Sequence, residues 1–199
     1  MTGDFPAVLV RSAVEVQKAL STDAAWLWWR DPAWAGAPEE GALAALCAAV
    51  RGTFAERSPV IAASVLIDSQ GAVLGPRFEP RYNDLVDLAR GAEMQLLPVR
   101  AVDTASVLVH RRAFERHGIP RPALGRHGGL EWTARVLADE VACIAGASLV
   151  RVSAVVLPRS AVFTEWRVIA GVARAGMWGR GRALRAVTQA GLGAVRPGR

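Results

Sequence analysis

The first patterned segment is Ala7-Val8-Leu9-Val10, an unbroken apolar run of the length expected for a parallel strand buried in a sheet. Ser12 follows, with Glu15 three residues later; this is the signature of a capping box and predicts a short helix over 13–20. Thr22-Asp23 breaks that helix, and Ala24-Ala25-Trp26-Leu27-Trp28-Trp29 then predicts a central strand running to Arg30-Asp31-Pro32. Pro38-Glu39-Glu40 places proline and acids where a first helical turn favours them, so a second helix is expected to start there and continue through Leu43, Leu46, Cys47 and Val50. Val60 to Ile67 reads as a strand, Asp68-Ser69-Gln70-Gly71 as a β-turn, and Ala72 to Leu74 as the returning arm of a hairpin. The Pro- and Arg-rich stretch 75–83 reads as loop. Beyond it the pattern predicts a strand over 99–109, a helix over 111–117, a loop at 119–122, a helix over 130–139 and a last strand over 149–157. Strands alternating with helices, plus one hairpin, define an α/β sheet domain.

The 199 residues suffice for one domain with a sizeable core and are too few for two. Charge changes the picture more than composition does. The net charge is +6, yet residues 159–199 hold eight arginines against one acid, Glu165, while residues 1–158 sum to −1. A nucleic-acid-binding domain carries its basic face on the folded body, so no nucleic-acid partner is expected. Lys18 is the only lysine, an arginine bias that reads as high-GC coding. Cys47 and Cys143 lie in apolar runs without CxxC spacing, which argues for buried thiols and against a zinc site or a disulfide framework. Neither a signal peptide nor a membrane-crossing run is evident, and a cytoplasmic location is the expectation.

Three segments, in order, carry a resemblance. They are residues 23–32 with the Pro38-Glu39-Glu40 helix; Val60 to Leu74; and Val102-Asp103-Thr104-Ala105-Ser106-Val107-Leu108-Val109-His110-Arg111-Arg112-Ala113-Phe114, continuing through Gly118-Ile119-Pro120 to His127-Gly128-Gly129-Leu130-Glu131-Trp132-Thr133-Ala134-Arg135. Together they resemble the second half of a family 2 glycosyltransferase of the GT-A fold, over about residues 23–152. The resemblance implies a minimal GT-A-like mixed sheet flanked by helices, shortened on its N-terminal side, over residues 1–158, followed by the basic tail 159–199.

The departures from the family pattern bear on activity. In the family a DxD motif holds a divalent cation against the diphosphate of a nucleotide-sugar, because a hard cation needs converging oxygen ligands. Here Arg30-Asp31-Pro32 leaves one carboxylate beside a guanidinium, so no metal site and no Mn or Mg cofactor is expected. The family's catalytic base comes from paired acids before Glu-Trp, where this chain has Gly128 and Gly129. By resemblance Glu131 is the remaining candidate base, although an acid at a helix N-terminus is also favoured by the dipole alone. Arg30, Asp31, Asp103, His127 and Trp132 fall at the family's substrate positions. Trp26, Trp28 and Trp29 read as core aromatics or as a platform for a sugar ring.

Two functions follow as expectations. One is a catalytically impaired or regulatory homologue in cell-envelope glycan assembly, partnered by a full-length glycosyltransferase. The other is an active, metal-independent transferase moving a sugar from a nucleotide-sugar to a lipid- or glycan-linked acceptor, with Glu131 as base and Arg30 in place of the metal. In the tail, Val168, Ile169, Val172, Met177, Trp178, Leu184, Val187 and Leu192 provide an apolar side and Arg167, Arg174, Arg180, Arg182 and Arg185 the charge of an interrupted helix. That pattern suits either an interfacial helix on an anionic membrane surface, at the inner face of the plasma membrane, or a solvated basic tail.

Overall fold

The computed structural model describes residues 7–30, 36–53, 57–75, 78–79, 97–99, 101–102, 104–120 and 128–152. The elements in chain order are β1 (Ala7–Val10), α1 (Ala13–Leu20), β2 (Trp26–Arg30), β3 (Gly36–Pro38), α2 (Ala42–Ala49), β4 (Ile61–Ile67), β5 (Val73–Gly75), β6 (Phe78–Glu79), β7 (Leu97–Val99), β8 (Ala101–Val102), β9 (Ser106–His110), α3 (Arg111–His117), α4 (Gly128–Val136) and β10 (Ala142–Val152). The fold is α/β, with a mixed sheet covered on both faces.

The main path of the sheet runs β1-β2-β9-β4-β10-β3. Strands β1, β2, β4 and β10 point the same way, and β9 and β3 run against them. The four parallel strands therefore end at one edge of the molecule, which is where open α/β sheets place their binding crevices. β4 is buried along its whole length, in keeping with helices on both faces.

The two faces divide the core. On one, Val16 and Ala19 of α1, Ala113 and Phe114 of α3, and Trp132 and Val136 of α4 pack against Val10, Leu27, Trp29, Ile61, Val65, Val107 and Ile144. On the other, α2 places Leu46, Cys47, Ala49 and Val50 over Ala62, Leu108, Cys143 and Ala145, and Ala7, Trp26 and Trp28 border this second cluster. The alternation of Leu27 and Trp29 with Trp26 and Trp28 is the period-2 pattern of a strand packed on both sides.

Several predicted boundaries are confirmed and others move. Ser12 caps α1 as expected, its hydroxyl accepting from the Glu15 amide at 3.2 Å. The Glu15 carboxylate completes the return bond on the Arg11 amide, one residue before the cap. The second helix begins later than Pro38-Glu39-Glu40 implied. Pro38 closes β3, which pairs antiparallel with β10, and the Glu39 amide donates to the Leu149 carbonyl. Gly41 takes up the left-handed conformation (φ 82°) needed to turn from strand to helix, so α2 starts at Ala42.

The strand expected over 99–109 is three pieces, of which β8 pairs with β6 outside the main sheet. β6 and Gly75 also replace part of the loop expected over 75–83. The last strand begins at Ala142 instead of Leu149. Its pairing with β4 jumps between Ala145 and Leu149, and the extra residues turn the Ser148 hydroxyl inward. Residues 153–157 of the expected strand, Asp31, Asp103, His127, the boundary at 158 and the whole tail 159–199 lie outside the described residues. No helix among the described residues is long and apolar enough to cross a membrane.

Candidate functional site at the carboxyl ends of the strands

Arg30 is the last residue of β2 and pairs in register with Ser106, the first of β9. Its guanidinium reaches across to the start of β3, where Nη2 donates to the Gly36 carbonyl. Cζ lies 5.7 Å from the centre of the Trp28 ring, within cation–π range. The Nε atom is buried and has no hydrogen-bond partner. Burial, and secondarily the charge of Arg11, lowers the pKa of this guanidinium. A desolvated donor without an acceptor is the costliest polar arrangement, and an anion would relieve it.

Beneath Arg30 runs a buried chain of hydroxyls. The Trp28 indole N–H donates to Ser106 Oγ at 3.2 Å, Ser106 and Ser64 share a bond of 2.9 Å, and so do Ser64 and Ser148. Ser148 donates to the Ala42 carbonyl at 2.8 Å. That last bond uses the Ser148 hydrogen, so Ser148 accepts from Ser64 and Ser64 from Ser106. Every proton in the chain is thereby directed from Trp28 towards α2, and no member is left without a partner. The pattern ties β2, β9, β4, the bulge of β10 and the start of α2 into one unit. No sequence signal marks these three serines, which are 42 and 84 positions apart.

The N-terminus of α4 sits at this same end. Gly129 packs against Thr104, two residues before Ser106. A Cβ at Gly129 would fall 1.9 Å from Thr104 Oγ1, 2.8 Å from its Cβ and 2.9 Å from its Cγ2. Thr104 is itself buried. Of the two positions that the resemblance assigns to the paired acids, Gly128 and Gly129, the second is thus filled by a neighbouring side chain.

Glu131, two residues along, is engaged on both oxygens. Arg135 donates from Nε to Oε1 at 2.8 Å and from Nη2 to Oε2 at 3.3 Å, and its Nη1 bonds the His117 carbonyl at 2.8 Å. The pair spans one helical turn and fixes α4 to the end of α3.

Trp132 is fully buried. Its ring stacks on Phe114 with centroids 4.8 Å apart, tilts against Trp29 at 6.3 Å, and its indole N–H bonds the Gly118 carbonyl at 2.6 Å. It presents no face to solvent and locks α3 and α4 to the sheet.

The structure therefore brings Arg30 and the Gly129 end of α4 to one edge of the sheet, places Glu131 in an internal ion pair, and puts Trp132 in the core. Arg111 caps the end of α1 by donating to the Thr22 and Leu20 carbonyls at 2.8 and 3.0 Å. Arg112 joins Arg57 and Arg116 around the Glu140 carboxylate. Among the described residues, no three His, Cys, Asp or Glu side chains converge in a way that could hold a metal ion.

Fold and site together define an α/β domain with an arginine-bearing edge at the carboxyl ends of its parallel strands. No family model matches the chain, and no curated protein is significantly similar to it.

Proposed function

We propose that this chain is a glycosyltransferase family 2-like protein that has lost transferase chemistry and serves as a regulatory partner of a full-length glycosyltransferase in cell-envelope glycan assembly. One observation carries the loss of chemistry: Thr104 occupies the space a side chain at Gly129 would need. An inverting transfer requires a carboxylate to take the acceptor proton, and here the remaining acid of that segment, Glu131, is held on both oxygens by Arg135. The family reading itself rests on the segment resemblance and on a mixed α/β sheet compatible with it. A basic tail suited to an anionic membrane surface supports work at the inner membrane face.

The deciding experiment incubates the purified chain with a panel of nucleotide-sugars, with and without Mn²⁺, and follows thermal stability and nucleotide release. Neither metal-dependent stabilisation nor turnover is expected. Turnover that Glu131→Gln abolishes would establish the second reading, an active metal-independent transferase. The orphaned Arg30 Nε is the observation that favours that reading.

A further inference from the structure

Arg11 follows the last residue of β1 and lies near Arg30, the last residue of β2. β1 and β2 are parallel, with Leu9 opposite Trp28 and Val10 opposite Trp29. β1 ends at Val10, so Arg11 is the first residue beyond it, and Arg30 is the last residue of β2. Neighbouring parallel strands lie about 4.8 Å apart, and residues in register point to the same face. Val10 faces the α1 side of the sheet, within the cluster that contains Val16 and Trp132. Leu9, Trp28 and Arg30 lie on the opposite face, and continuing the alternation one residue beyond β1 would direct Arg11 there too. The lowering of the Arg30 pKa by Arg11 accords with that juxtaposition.

Two like charges thus follow one another closely at the carboxyl ends of adjacent parallel strands, Arg30 ending β2 and Arg11 just past the end of β1. Neither guanidinium forms an ion pair among the described residues, in which six other arginines do. Below the pair lies a shelf that is only partly covered, with Leu9 40% exposed and Trp28 half-buried. The N-terminus of α1 plays no part, since it lies over the other face and carries its own acid, Glu15.

We propose that Arg11 and Arg30 form a binding site for the phosphoryl group of a soluble phosphate ester, whose organic body rests on Leu9 and Trp28. A phosphoryl oxygen would supply the acceptor that Arg30 Nε lacks, and its charge would cancel the repulsion between the two guanidinium groups. A bidentate fork from each arginine matches the tetrahedral array of phosphate oxygens better than an ammonium would. The proposal needs no transferase activity and does not depend on the family resemblance.

Calorimetric titration of the full chain with pyrophosphate, at ionic strength matched with chloride, tests it directly. Binding is expected, and Arg11→Gln should weaken it about tenfold or more, as loss of a charge-assisted pair does. Arg11→Lys should recover only part of that loss, because charge returns without the fork. Arg11 is exposed, so its substitution leaves the fold intact, and unchanged thermal unfolding of the free variants checks this. Absence of heat at millimolar pyrophosphate, or equal affinity of Arg11→Gln and the parent chain, overturns the proposal. The nucleotide-sugar assay reads a different property, so either result can stand without the other.

Discussion

Replacing Gly129 by alanine puts the central packing argument at risk, because two opposing effects predict opposite signs. In a helix, alanine is favoured over glycine by about 1 kcal/mol, so a Gly129→Ala variant free of contacts would be more stable than the parent. The contact with Thr104 opposes this. The new methyl would lie 1.9 Å from Thr104 Oγ1 and 2.8 Å from Thr104 Cβ. Rotating the threonine side chain relieves the first contact but leaves the second, because Cβ does not move with χ1. Either the first turn of α4 or the segment before β9 must shift. Overpacking of this kind costs about 1–3 kcal/mol and occasionally more, so the net result is a destabilised protein. A loss of about 2 kcal/mol lowers the melting temperature of a chain this size by about 4–8 °C.

Thr104→Gly removes every atom responsible, so the double variant should recover most of the stability lost on adding the methyl to Gly129. Chemical denaturation of the four proteins in the cycle measures the coupling, expected at about 1–2 kcal/mol. A Gly129→Ala variant as stable as the parent, or more so, would refute the close contact. It would also remove the ground for reading this position as closed to a carboxylate.

Three further outcomes follow from the same structure. Burial, reinforced by Arg112, lowers the pKa of His110, whose Nδ1 accepts the Arg112 amide and caps α3. The unfolded chain therefore takes up the proton first, and His110 contributes stability that is lost as pH falls below about 6.5. His110→Asn keeps the cap without titrating, so its stability relative to the parent should rise between pH 7 and 5; parallel pH profiles would count against this role. Glu140, 9% exposed, accepts from Arg112 at 3.2 Å and Arg116 at 3.0 Å with Arg57 at 4.0 Å. Glu140→Gln should cost about 1–3 kcal/mol by denaturation, and a loss that 1 M NaCl does not reduce would argue against an electrostatic origin. Burial pushes the Cys143 thiol up to about 12 and also raises Cys47, so neither should react with iodoacetamide at pH 8 until the chain unfolds. Rapid native labelling of either would contradict their burial.

Much of the element order was legible because it is written in local pattern. The capping box of Ser12 and Glu15, the apolar run of β1, the aromatic run of β2, and the hairpin turn at Asp68 are all set by residues within one turn of each other, although β1, expected to be buried, lies at the sheet edge with Val8 and Leu9 exposed. The misplaced boundaries share a different cause. Pro38-Glu39-Glu40 has the composition of a helix start, but an antiparallel place beside β10 was open to it, and pairing outweighed propensity. Ala142 to Ser148 is poor in β-branched residues, and it became strand because β4 and β7 lie on either side. At the site, Glu131 could be found from the sequence as a candidate acid, but its capture by Arg135 could not be told from an ordinary surface pair.

By itself the sequence determined that this is an α/β chain, where its short-range caps and turns fall, and that its positive charge is concentrated after residue 158. Those properties depend on neighbours along the chain. Only the tertiary structure decided that Gly129 is closed by Thr104, that three distant serines pass hydrogen bonds from Trp28 to α2, and that β1 and β2 run in parallel register up to Val10 and Trp29, one residue short of Arg11 and Arg30. Each of these is fixed by which strands lie side by side and in what register, and that is set by burial of the two core faces, which no single segment carries.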